Sequence, residues 1–180
     1  MSIVLHGVAA GKGIAIGHAH LITRGTTEVP QYDIDPDKLD AEVARFDNAI
    51  KATRKELEQL RGAIPENAPT ELGAFISLHL MLLTDVTLSR EPIDILREQK
   101  INSEWALKLQ SDKLAAQFDS IDDDYLRERK QDMLQVVHRI HNNLVGQSNE
   151  INLAGNLLDD TVLIAHDLSP ADTVLFKEQH

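Results

Sequence analysis

The stretch FISLHLMLLTD, Phe75 to Asp85, decides how this chain is read. A surface helix of a globular protein keeps one apolar stripe and one polar face. Here Leu78, Leu80, Met81, Leu82 and Leu83 point around most of the helical circle, with His79 among them. Two arrangements accommodate such a segment. One is a fully buried core helix with His79 hydrogen-bonded inside. The other is a helix that buries one side and offers the other to a partner. Each helix of a four-helix bundle sits at a corner, so such a bundle rarely buries one on all sides. Methionine also suits surfaces that adapt to partners.

The flanking sequence keeps a helical period. Asp35-Pro36 predicts a helix start, with a capping Asp and Pro in the first turn. Leu39, Val43, Phe46, Ile50, Leu57 and Leu60 follow at three- and four-residue steps, with a gap at Thr53/Arg54, and predict one long helix to about Arg61. Gly62 to Pro69 breaks it, and a second helix from about Thr70 carries the quoted stretch. A short helix is expected over Glu91 to Lys100. Asn102 is expected to cap a third long helix through about Phe118, with Trp105 and Leu109 on one side. Asp122 caps a fourth, striped by Leu126, Met133, Val137, Ile140 and Leu144 and stopped by Gly146.

Both ends change character. IVLHGV (Ile3–Val8) and IAIGHAHLI (Ile14–Ile22) read as extended segments, and TVLIA (Thr161–Ala165) as a strand. Thr26 to Asp35, polar and holding Pro30, reads as a linker, and Ser169-Pro170 opens one more helix. The expected fold is therefore mixed α+β, a helical bundle inserted into a truncated α/β domain whose terminal strands pair with each other. The expected divisions are 1–30, 31–146 and 147–180.

Composition limits the function classes. The chain has 180 residues, 42% hydrophobic and only 4% aromatic, so aliphatic side chains build the core. A net charge of −11 argues against nucleic-acid binding and against an anionic membrane surface, and suits a partner with a basic face. With no cysteine there is no disulfide, thiolate chemistry or Cys-based zinc site, and a cytoplasmic setting is expected. No uncharged apolar run reaches the roughly 18 residues of a membrane span.

Several motifs invite a site and fail on their own chemistry. GVAAGKG (Gly7–Gly13) has three residues, not four, before its Gly-Lys pair, and Gly follows the Lys where a phosphate loop needs Ser or Thr. His138 and His141 share a helix face, and His18 and His20 a strand face, but no third ligand has the spacing to complete either set. Asp122, Asp123 and Asp124 read as acids offsetting a helix N-terminus.

Four stretches in order carry a resemblance: GVAAGKGIAIGHA (Gly7–Ala19), HLMLLTD (His79–Asp85), DDDYLRERKQDM (Asp122–Met133) and VLIAHDLSPADT (Val162–Thr173). Together they resemble the N-terminal part of enzyme I of the bacterial phosphotransferase system, the phosphoenolpyruvate–protein phosphotransferases. The resemblance implies a phosphohistidine α/β domain with an inserted bundle that docks the phosphocarrier protein HPr. It implies a relay in which a histidine takes the phosphoryl group from phosphoenolpyruvate and passes it to HPr, with phosphoenolpyruvate and Mg²⁺ held in a separate C-terminal barrel. By motif position it nominates His79, Met81, Leu82, Asp85, Leu88, Phe118, Leu126 and Arg129 as the HPr contacts. The family's phosphorylated histidine lies in a Thr-Ser-His motif that this chain lacks, and His180 has no such context. No catalytic residue, metal site or cofactor is thus expected in this chain. It is expected to be a monomeric, catalytically inactive fragment of an enzyme that is a homodimer. TDVTL (Thr84–Leu88) is also less acidic than the family's docking motif. The alternative from another class is a stand-alone helical binding or scaffold module.

Overall fold

Strand character at the two ends resolves into one pair. The structure, a computed structural model, describes residues 14–22, 29–66, 68–146 and 161–165. Strand β1 (His18–Ile22) pairs in parallel with β2 (Thr161–Ala165), His18 opposite Thr161 and Ile22 opposite Ala165. A parallel pair needs a crossover connection, and here the whole helical region lies between the two strands in sequence. The segment IVLHGV and the Ser169-Pro170 helix start lie outside the described residues. Residues 14–22 and 161–165 belong to one unit, and residues 29–66 and 68–146 to a second.

The named elements of the second unit are all helices among the described residues. A 3₁₀ turn (Pro36–Lys38) leads into α1 (Leu39–Gly62), followed by α2 (Thr70–Leu82), α3 (Val86–Ser89), α4 (Glu91–Gln99), α5 (Ser103–Asp119) and α6 (Asp124–Leu144). This is the expected mixed class, a helical bundle with a small parallel sheet. The core is aliphatic: Phe46, Leu57, Ile76, Leu83, Leu88, Leu107, Val136 and Ile140 are buried together. A smaller cluster of Leu96, Ile101 and Ala106 gathers Trp105 and Leu109 beside it. The gap in the α1 stripe is filled, not open. Thr53 is fully buried, its hydroxyl donates to the Ala49 carbonyl (2.9 Å), and Asn143 of α6 donates to that hydroxyl (3.1 Å). Gly146, at φ 69°, supplies the left-handed stop expected after α6.

The expected caps are corrected by longer-range bonds. The Asp35 side chain makes no cap hydrogen bond and lies instead 3.3 Å from Lys38. Asn102 does not cap α5 through its side chain. Glu42 of α1 takes that role, accepting from the Ser103 amide at 2.8 Å. The Asn102 amide group donates to the Pro30 carbonyl (3.0 Å) and to Glu104 (2.9 Å), and its oxygen accepts from the Tyr32 amide (3.1 Å). Residues 30–34 are accordingly pinned to the helices rather than acting as a free linker. The Ile34 amide donates to Lys100 at 2.7 Å, and Asp33 forms an antiparallel bridge with Ile101.

Arg45 completes this cluster. Its guanidinium donates to both oxygens of Glu42 (2.6 and 3.1 Å), to both of Glu104 (2.7 Å each) and to the Leu144 carbonyl (3.0 Å). Burial alone would raise the Glu42 and Glu104 pKa values, but hydrogen bonds, chiefly from Arg45, hold both below the usual range. Burial, with the negative charge of Glu104, pushes the Tyr32 phenol up.

No single helix among the described residues is long and apolar enough to cross a membrane. Among the described residues, only α2 taken together with residues 86–99 meets both the length and the apolar composition, and that pair is bent by 61°.

Candidate docking surface

The quoted stretch is not one helix. At its end the Thr84 amide and hydroxyl both donate to the Met81 carbonyl (2.9 and 2.7 Å), closing the last turn. Asp85 then caps α3, accepting from the Thr87 amide and hydroxyl at 2.8 Å each. The Asp85-x-Thr87 spacing therefore breaks the expected continuous helix at residues 83–85 and re-aims the chain by 61°.

Most of the apolar surplus faces inward. Ile76, Leu80, Leu83 and Leu88 are buried, and Phe75 and Leu82 pack against the same core. The outward face of α2 is Glu71, Ala74, Ser77 and Met81, one residue every three or four positions. Met81 is 61% exposed and closes this face at the bend. Just past it Val86, at the first position of α3, is also 61% exposed. Sequence reading missed Val86. What the sequence does show is the capping pair that places it, Asp85 with Thr87.

The nominated residues separate by depth. Met81 and Asp85 are exposed, and Leu82 and Phe118 are half-buried against the core. Leu88 and His79 are each 1% exposed, so neither offers its side chain to the surface. Their place under such a face is one of support. Arg129 is half-buried and donates to Asp132 at 3.1 Å, and the Leu126 side chain lies outside the described residues. α2 and α6 pack side by side, with Arg139 electrostatically close to His79. Arg129 stands ten residues before Arg139, about 15 Å along the helix. Arg129 thus stands well along α6 from the place where that helix meets His79.

His79 is not hydrogen-bonded inside, as the core-helix arrangement required. Its ring lies 4.1 Å from that of Phe75, and both nitrogens lack a hydrogen-bond partner among the described residues. Burial first, and the Arg139 charge second, depress its pKa to about 4, so the imidazole is neutral at physiological pH.

Of the other motifs, GVAAGKG (Gly7–Gly13) lies outside the described residues. His138 Nε2 lies 3.3 Å from the Asn142 amide nitrogen, and His141 is buried on the same helix. Among the described residues no group of three or more His, Asp or Glu is placed to hold a metal ion.

The chain matches the model of the family described as PEP-utilising enzyme, N-terminal, over residues 6–129. It is 42% identical over 184 residues to the phosphoenolpyruvate-protein phosphotransferase of Cupriavidus necator, covering 98% of this chain and 31% of that protein. It is 33% identical to the enzyme of the same name from Bacillus subtilis, covering 94% of this chain and 29% of that one. The chain thus spans about a third of the length of these relatives. Its fold is similar to a solution NMR structure of an Enzyme I protein, with TM-score 0.74 and 31% identity, over 93% of this chain and 67% of the other. A structure of the N-terminal domain of a nitrogen-type Enzyme 1 shares the fold at TM-score 0.65 and 24% identity, over 90% of this chain and 65% of the other.

Proposed function

From a chain that belongs to the family of PEP-utilising enzymes, as their N-terminal part, we propose the recognition portion of a cytoplasmic phosphoenolpyruvate–protein phosphotransferase. In this reading the helical unit docks the phosphocarrier protein HPr along the outward face of α2 and the start of α6. The full enzyme takes a phosphoryl group from phosphoenolpyruvate onto a histidine and hands it to HPr. Phosphoenolpyruvate and Mg²⁺ bind the barrel of that full enzyme. The 180 residues hold no Thr-Ser-His sequence, and in this reading they bind the carrier without themselves transferring phosphate, while dimerisation belongs to the barrel of the full enzyme.

One observation carries the docking reading. The bundle closes its own core with Leu80, Leu83 and Leu88, yet leaves Met81 and Val86 bare on either side of a sharp bend. A small apolar spot on a polar surface is what a transient protein contact uses. Leu82 and Phe118, half-buried beside the core, can lend their exposed edges to it.

The test is an NMR titration of the chain with HPr from the same organism. Shifts at Ala74, Ser77, Met81 and Val86, and in the first turns of α6, are expected. A well-dispersed spectrum that does not move at millimolar carrier sinks the reading.

A further inference from the structure

The helices of the bundle are not held alike. α1 reaches α5 through Glu42 and the Ser103 amide (2.8 Å) and through Arg45 and Glu104 (2.7 Å), and it reaches α6 through Thr53 and Asn143 (3.1 Å). α4 is bonded to α1 by Arg97 and Asp40 (3.0 Å), and to α5 by Glu91 with Gln110 (2.8 Å) and Lys113 (3.0 Å). Lys130 and Asp119 (2.7 Å) join α6 to α5. α2 lacks such ties. Among the described residues, no side chain of Thr70–Leu82 makes a hydrogen bond or ion pair to another helix, and Ser77 donates only to the Gly73 carbonyl of its own helix (2.7 Å).

α2 is also bounded by breaks. Pro69 gives its start no side-chain cap, and the chain bends by 61° past Leu82. It has 13 residues, and isolated helices under about 15 residues are marginal in water. Gly73, with nothing within 4 Å of an added Cβ, weakens it further relative to alanine. What seats it is apolar contact with α1 and α6, through Ile76 and Leu80 in the shared core. One buried group opposes that seat. His79 is 1% exposed, neither ring nitrogen has a hydrogen-bond partner among the described residues, and the buried Arg139 is the cation across the seam. Leaving the seam lets water bond both nitrogens and takes the ring away from that charge.

We propose that α2 is a strap that lifts from α1 and α6 as a unit while the other long helices stay packed, and that His79 sets how readily it lifts. The polar ties keep α1, α4, α5 and α6 together as a frame. The face carrying Met81 is presented only while the strap is seated, and lifting it uncovers Ile76 and Leu80.

The experiment follows amide hydrogen exchange by NMR in the full 180-residue chain at a series of low urea concentrations. Amides of Ile76–Leu82 should exchange at least about 10-fold faster, relative to their intrinsic rates, than those of Phe46–Leu57 and Met133–Ile140. Their rates should also rise less steeply with urea, because lifting one helix exposes less surface than unfolding the bundle. Equal protection and equal urea slopes in the three helices would overturn the proposal, since α2 would then leave only with everything else. His79→Leu, which keeps the position apolar and filled, should slow exchange across Ile76–Leu82 by about 5-fold. An unchanged rate in that variant would overturn the role of His79. The urea slopes of the unsubstituted chain decide the strap itself, whether or not the variant folds.

Discussion

Two buried polar places in the helical unit are built in opposite ways. At the base, Arg45, Glu42, Glu104 and Asn102 are locked to one another and to residues 30–32 and 144 by short hydrogen bonds. In the seam between α2 and α6, His79 is 1% exposed, with neither ring nitrogen bonded among the described residues and a cation across from it. A satisfied network specifies one arrangement, whereas an unsatisfied buried group costs about 1–3 kcal/mol. The base is thus built for geometry. The seam bears a cost, and it lies beneath the proposed docking face.

The sharpest way to break this contrast is at the base. Arg45→Ala leaves two carboxylates, 12% and 7% exposed, without their cation. Because Arg45 itself is a third exposed, solvent screens part of the loss. A destabilisation of about 3 kcal/mol is expected in urea unfolding, and a loss under about 1 kcal/mol would show that the network contributes little.

The seam should answer to acid. His79 has a folded-state pKa of about 4 against an ordinary 6.5. The unfolded chain takes up this proton first. Stability is therefore full above about pH 6.5 and falls as the pH drops toward 4, by about 2 kcal/mol at pH 5. His79→Leu should remove that slope and raise stability at neutral pH by about 1 kcal/mol. Equal acid slopes for the two proteins would show that the imidazole is not held neutral.

Exposed polar groups extend the comparison to smaller effects. Asp85→Ala removes a cap on a four-residue helix and should lower stability by about 1 kcal/mol. Amide exchange at Val86–Ser89 reads it directly, and unchanged protection there would deny the cap its role. Gly73→Ala meets open space, with nothing within 4 Å of an added Cβ. It should stabilise α2 by about 0.5–1 kcal/mol in thermal unfolding, and a fall would mean the face is not open.

What the sequence made legible were features set by near neighbours. The aliphatic stripe of α1, the Pro69-Thr70 start of α2 and the stop at Gly146 follow from spacing and local dihedrals. What it hid were bonds between distant positions. Asn102 has the chemistry of a cap, but Pro30 and Tyr32 claim it and Glu42 caps in its place. Thr53 looked like a gap because its partner, Asn143, is on another helix. At the candidate site, hydrophobicity revealed the segment but not its facing. Leu80 and Met81 are adjacent and similarly apolar, yet one is buried and one bare, and the 100° between successive residues decides which.

The base cluster also bears on how the chain folds. β1 and β2 pair across about 140 residues, a slow kind of contact to form, because closing so long a loop must precede any gain from it. Once Asn102 holds Tyr32 and Arg45 holds Leu144, the helical unit acts as a staple, and only about 25 residues of chain remain to be closed. By loop-closure entropy that lowers the cost of meeting by about 1 kcal/mol. Helices first and strands last is then the quicker route, and a weakened staple would delay the sheet most.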